Sequence, residues 1–172
     1  MLTFQAADMA AIHAVFSDLS EVSAEEVIKD CGSWWKALPK VLKLLALPDS
    51  QTEALVDESG TALALFGHYP SETPRIRTTW FVFSNGFIAR KAMAVLACWK
   101  RVDELRLAYP ETEFHSYTTS RHSQRARWFS LLGFHFVGLT SDGAQHYVLQ
   151  ESDKTSDLES VEQYNPTNPR AS

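Results

Sequence analysis

The run from Phe114 to Gly138, FHSYTTSRHSQRARWFSLLGFHFVG, constrains this chain more than any other stretch. Phe114, Ser116 and Thr118 alternate with His115, Tyr117 and Thr119 in a segment rich in aromatic and β-branched residues, which predicts a strand. Ser123 is a capping residue at the head of a helix predicted over 124–132, and Gly133 supplies a left-handed stop. Phe134 to Gly138 predicts a second strand immediately afterwards. A strand, a short helix and a strand thus follow one another almost without linkers.

The remainder supplies elements that such a unit can join. Leu2 and Phe4 predict a short first strand, and Asp8 caps a predicted helix carrying Met9, Ile12, Val15, Phe16 and Leu19. Ser23 with Glu26 three residues later is a capping box opening a further helix, which Gly32 ends. A helical pattern follows over 34–47, with Leu38, Val41, Leu42 and Leu45 on one face; Pro39 suits only a first turn, so the helix is expected to begin there. Residues 53–57 and 61–69 around Glu58-Ser59-Gly60 predict a β-hairpin, and 75–83 a strand buried on both faces. From Ser84 a long helix is predicted with Ile88, Ala92, Val95, Trp99, Val102 and Leu105 inward, stopped at Tyr109-Pro110. A turn at Ser141-Asp142-Gly143 and a strand over 145–150 complete the body. The expected core includes Trp80, Phe81, Val82, Val95, Trp99, Trp128, Phe129 and Phe134.

At 172 residues with 45% hydrophobic content, the chain suffices for one globular domain. Its formal net charge of -5 argues against a nucleic-acid partner. Residues 151–172 hold five acids and two bases and end in a Pro-containing polar stretch, so a domain over 1–150 and an extended tail over 151–172 are expected. Cys31 and Cys98 fall in apolar helical patterns and read as buried free thiols. No apolar run reaches the ~20 residues of a membrane span, and the N-terminus lacks the pattern of a signal peptide, so synthesis in the cytoplasm is expected.

The element order, with Leu132-Gly133-Phe134 closing the short helix, resembles the GNAT (Gcn5-related N-acetyltransferase) fold over roughly residues 1–150. That resemblance implies an α+β (α/β) architecture with a mixed, mostly antiparallel central sheet flanked by helices. It also implies an acetyl-CoA site where the central strand meets the long helix, with glycines letting backbone N–H groups approach the pyrophosphate. Here that place reads Ser84-Asn85-Gly86-Phe87-Ile88-Ala89-Arg90, which keeps one glycine of the family's pair. If acetyl-CoA binds, Ser84, Asn85, Gly86, Phe87, Ile88, Arg90 and Arg121 are the residues expected to hold it, although Phe87 and Ile88 crowd the path. Where many members carry a tyrosine acid four residues before the glycine, this chain has Phe129, which has no proton to give. Tyr117 is the alternative acid and Glu113 the base if the protein is active; Glu111, His68 and His115 border the same cleft. Arg125 and Arg127 could reach a phosphate or form a solvated face. No metal-ligand spacing occurs among the histidines and cysteines.

A narrower resemblance lies in Trp80-Phe81-Val82-x-Ser84 before a basic helix, Tyr117 to Leu132 running into Leu-Gly-Phe, and Thr140-x-Asp142-Gly143-x-x-x-Tyr147. These look like phage GNAT-like proteins, among them small internal virion proteins of short-tailed phages. The resemblance implies a virion protein with a degenerate acetyl-CoA site and no required cofactor. Its expected partners are other virion proteins, reached through the 151–172 tail. An active acetyl-CoA-dependent N-acetyltransferase and a non-phage GNAT-like binding module stand as alternatives.

Overall fold

A computed structural model of the protein describes residues 1–149; the expected tail over 151–172 lies outside the described residues. Seven strands form one sheet: β1 (Thr3–Ala6), β2 (Gln51–Val56), β3 (Ala62–Pro70), β4 (Ile76–Phe83), β5 (Glu113–Thr118), β6 (Phe134–Leu139) and β7 (Gln145–Leu149). Their order is β1-β2-β3-β4-β5-β7-β6. Every neighbouring pair is antiparallel except β4 with β5. The mixed, mostly antiparallel sheet flanked by helices is therefore present.

The helices are α1 (Met9–Ser17), α2 (Glu21–Cys31), α3 (Trp34–Leu45), α4 (Asn85–Ala89), α5 (Lys91–Ala108) and α6 (Ser123–Leu131). One face of the sheet buries Phe81, Phe83, Phe114, Phe134, Tyr147 and Leu149 against Ala94, Cys98, Val102 and Leu105 of α5 and Trp128 and Phe129 of α6. The other face packs Ala54, Val56, Leu65 and Val82 against Ile12, Val15 and Phe16 of α1 and Ala37 and Val41 of α3. At ~25 cal/mol per Å² of apolar surface, these two layers are the main term holding the sheet.

Local signals place most element ends. Asp8 caps α1 by accepting from Ala11 N at 2.7 Å. Gly32 and Gly133 end their helices at φ +77° and +84°, where a Cβ would be strained. Five expectations are corrected. The capping box at Ser23 does not form: Ser20 is the cap of α2, and Ser23 lies inside the helix with its hydroxyl accepting from Phe83 N at 2.9 Å. Helix α3 begins at Trp34, leaving Pro39 inside it rather than in its first turn. His122, not Ser123, caps α6, its Nδ1 accepting from Gln124 N at 3.3 Å. Cys31 is half-buried, although Cys98 is buried.

The fifth correction concerns the long helix, which Arg90 (φ -109°, ψ 25°) divides into α4 and α5. The inward face of α5 carries Ala94 and Cys98 together with the expected Val102 and Leu105. Trp99 is 51% exposed instead of lying in the core, and Ile88 is exposed as well. Trp80 and Val95 are only partly buried against the core, whereas Phe81, Val82, Trp128, Phe129 and Phe134 are buried as expected.

Candidate functional site

Strands β4 and β5 run parallel in register from Ile76↔Glu113 to Thr79↔Ser116, and there the pairing ends. Both continue, β4 to Phe83 and β5 to Thr118, with no ladder between them. A gap in a central parallel pair exposes backbone groups that need partners. The α1–α2 junction provides them at Phe83: Ser23 Oγ accepts from its N–H at 2.9 Å, and Ser20 N donates to its carbonyl at 2.9 Å.

Two charged side chains cross the same gap. Arg125 of α6 is 2% exposed and sets its guanidinium carbon 5.3 Å from the ring centroid of Phe83. Its Nη2 donates to Glu26 of α2, and Glu26 also accepts from the hydroxyl of Thr118 on β5. The buried pair thus ties α2, β5 and α6 together across the place where the strands part. Cavities of about 200 and 180 Å³ adjoin it, the first beside Phe87, Lys91 and Trp128, the second beside Glu26, Trp80 and Tyr117; Arg125 lines both.

The segment Ser84–Arg90 forms the other border. Its N–H groups already have acceptors within the chain. Asn85 N donates to the Asp18 carbonyl at 2.8 Å, and Ile88 N to the Ser84 carbonyl at 3.4 Å. Gly86 N donates to Asp18 Oδ2 at 3.3 Å and Phe87 N to Ser84 Oγ at 3.2 Å. The Asn85 side chain donates to Asp18 Oδ1 at 2.9 Å. Ser84 is the N-cap of α4, and Asp18 adds a carboxylate at the same helix end, where negative charge is favourable. Phe87 does not crowd this surface; it is buried and stacks on Phe83 at 4.5 Å. Ile88 remains exposed there. Arg90 pairs with Asp57 at 3.0 Å, and Arg121 is exposed. Hydrogen bonds from Ser59 and Thr61, with Arg90 nearby, hold Asp57 below its usual carboxylate range.

Glu113 and Tyr117 come together through two histidines on the sheet face opposite Phe114. Glu113 lies 3.0 Å from His115 Nε2, and His115 Nδ1 lies 3.0 Å from His146 Nε2 of β7. Tyr117 stacks on His146 with centroids 4.6 Å apart. One tautomer pattern satisfies the chain: His146 Nε2–H donates to His115 Nδ1, and His115 Nε2–H donates to the Glu113 carboxylate. That leaves Nδ1 of His146 as a basic site. Burial, then His115, lowers the His146 pKa and favours the neutral ring; burial raises that of Tyr117 and keeps it a phenol. Phe129 is buried against Tyr147 at 4.5 Å and offers no proton. His68 lies elsewhere, accepting from Arg77 Nε at 2.8 Å, and Glu111 pairs with exposed Arg75.

Sequence reading missed Asp18, Ser20, Glu26 and His146. Each acts on a residue far along the chain, so neighbouring residues gave no sign of the role. Arg125 was visible only as a possible phosphate contact.

No family model and no curated protein matches the sequence. Solved structures match its shape. The chain is similar to a GCN5-related N-acetyltransferase from Kribbella flavida, with a TM-score of 0.62 and 17% identity, covering 86% of this chain and 95% of that one. It is similar to spermidine N-acetyltransferase from Vibrio cholerae in complex with CoA and spermine, at TM-score 0.62 and 10% identity over 86% and 94% of the two chains. The aminoglycoside acetyltransferase AAC(6')-Ib in complex with ribostamycin and coenzyme A gives TM-score 0.62 and 16% identity over 91% and 98%. At these identities the likeness is one of fold, and the fold is that of GNAT acetyltransferases.

Proposed function

Starting from that fold, we propose that this chain is a GNAT-fold protein with a closed acetyl-CoA site, acting through protein contacts in virion assembly or the virion interior. The observation that carries the closed site is the Asp18 carboxylate seated on Gly86 N and the Asn85 side chain. A pyrophosphate arriving there would meet a fixed negative charge and N–H groups already bonded. The Glu26–Arg125 pair across the β4–β5 gap supports the same reading. No cofactor is required in this role. The virion setting, with other virion proteins as partners, rests on the Trp80–Ser84, Tyr117–Phe134 and Thr140–Tyr147 motifs. The tail over 151–172 is the segment proposed to reach them.

Calorimetry of the full chain with acetyl-CoA tests the closed site. The expected result is no saturable heat at millimolar ligand, with binding emerging in Asp18→Ala or Glu26→Gln/Arg125→Met variants. A micromolar Kd for the unaltered chain, lost in Gly86→Val, would overturn the reading. Mass spectrometry of purified particles tests the virion setting, and absence of the chain from assembling and mature particles would sink it.

A second reading, an active acetyl-CoA-dependent N-acetyltransferase, is favoured by the Glu113–His115–His146 chain beside Tyr117. In it His146 Nδ1 would accept the proton of an acceptor amine and Tyr117 would protonate the leaving thiolate. Turnover that falls at least ~100-fold in His146→Gln and Tyr117→Phe would select this reading.

A further inference from the structure

Helix α5 turns one apolar face to the sheet and a second to solvent. Met93 is 55% exposed, Leu96 66%, Trp99 51% and Leu107 72%. Met93, Leu96, Lys100 and Leu107 recur at spacings of three, four and seven, which puts them on one stripe with Trp99 and Arg106 along its flank. Single exposed apolar residues are ordinary, whereas a contiguous row marks an interaction surface. A polar atom beside this row also lacks a partner. Arg106 Nε is buried with no hydrogen bond among the described residues, and burial lowers the Arg106 pKa, opposed by Asp103. The same guanidinium reaches the point where the chain leaves the sheet. A Cβ on Gly133 would stand 2.9 Å from Arg106 Nη2 and 3.6 Å from Leu149 Cδ1.

We propose that residues 151–161 of the same chain lie back along this face of α5, the Glu151 and Asp153 carboxylates on Arg106 and Leu158 and Val161 on the exposed stripe. Position, length and charge select this occupant. Strand β7 ends at Leu149, beside Arg106 and the C-terminal end of α5, so the segment begins where the stripe begins. The stripe from Leu107 to Met93 runs about 21 Å along the helix axis. The nine residues from Leu149 to Leu158 span up to about 30 Å, enough to follow it. Residues 151–162 carry five acids against one base, Lys154, and their larger aliphatics are Leu158 and Val161. On the helix, Lys100 and Arg106 offer the opposite sign; Asp103 lies between them, and Glu104 is bonded to Arg101. An acidic segment with two aliphatic side chains thus matches a face of two cations and four apolar groups, and it supplies the acceptor that Arg106 lacks. The docking needs neither acetyl-CoA nor a virion partner. Residues 162–172 lie beyond it and remain the part offered to other chains.

Backbone amide relaxation of the full chain, measured by NMR, tests the proposal. Order parameters over 151–161 are expected to stay above the ~0.6 that marks flexible backbone. They should be unchanged on tenfold dilution, as for a contact within one chain. Leu96→Lys/Leu107→Lys, at exposed positions, is expected to bring them below ~0.6 while circular dichroism is unchanged. Arg106→Glu should do the same, and adding Glu151→Arg/Asp153→Arg should restore the order, which a merely damaged fold would not allow. Val137→Lys/Leu139→Lys, on exposed positions of β6, should leave the segment ordered. Order parameters below ~0.6 in the unaltered chain overturn the proposal. So does order that survives the α5 leucine changes, or order lost on dilution, which would assign the segment to a second copy.

Discussion

Replacing Arg125 by methionine removes a guanidinium that is 2% exposed and leaves Glu26, with 16% of its side chain exposed, with Thr118 as its remaining hydrogen-bond partner among the described residues. Methionine keeps an unbranched apolar body against Phe83, so little packing is lost. The cost is the charge left without its partner. Breaking a buried pair from one side costs ~3–5 kcal/mol, and Arg125→Met falls near the lower figure because Glu26 can turn toward water. Glu26→Leu should cost more, about 4 kcal/mol, since Arg125 has no route to solvent. Removing both charges with Arg125→Met/Glu26→Leu should return to within ~1 kcal/mol of the unaltered chain, because desolvation then disappears together with the attraction. Urea unfolding followed by tryptophan fluorescence at pH 7 gives all four corners of the cycle. A single change costing under ~1 kcal/mol, or a double change costing as much as both singles together, would refute the reasoning.

His68 is buried, with its pKa lowered to about 4 by burial first and then by Arg77 and Arg101. Because the folded value lies below the ordinary histidine value of 6.5, its contribution is complete above pH 6.5 and lost as pH falls through about 4, ~3 kcal/mol in all. Urea titrations of the unaltered chain and His68→Asn should diverge across that window; parallel curves would contradict it. A Cβ on Gly67 would sit 2.3 Å from the Trp80 indole, so Gly67→Ala should cost about 1–3 kcal/mol and shift tryptophan emission as the ring is displaced. Phe134→Ala, at a side chain 2% exposed and packed on Phe81 and Phe129, should cost ~3–5 kcal/mol by the same unfolding assay.

Strands, helix stops and most of the core were legible because their signals are local. Alternation from Phe114 to Thr118 sets a strand, and Gly32, Gly133 and Gly143 sit at positive φ where the pattern stops. Periodicity also identified Phe81, Val82, Trp128, Phe129 and Phe134 as core. It failed on Trp99 because α5 is apolar on more than one side: Met93, Leu96 and Leu107 are exposed like Trp99, while packing against the sheet takes Ala94, Cys98, Val102 and Leu105 inward. Ser23 looked like a cap from its neighbours, yet Phe83 N, sixty positions away, claims its hydroxyl. The site was the least legible part for the same reason. Glu26 and Arg125 are 99 positions apart, Asp18 and Gly86 68, and His115 and His146 31. The sequence by itself determined where strands and helices form, since propensity, capping and alternation act within a few residues. Only the tertiary structure decided which charges close the gap between β4 and β5, because sheet pairing and burial alone bring such distant partners together and make their pairing matter.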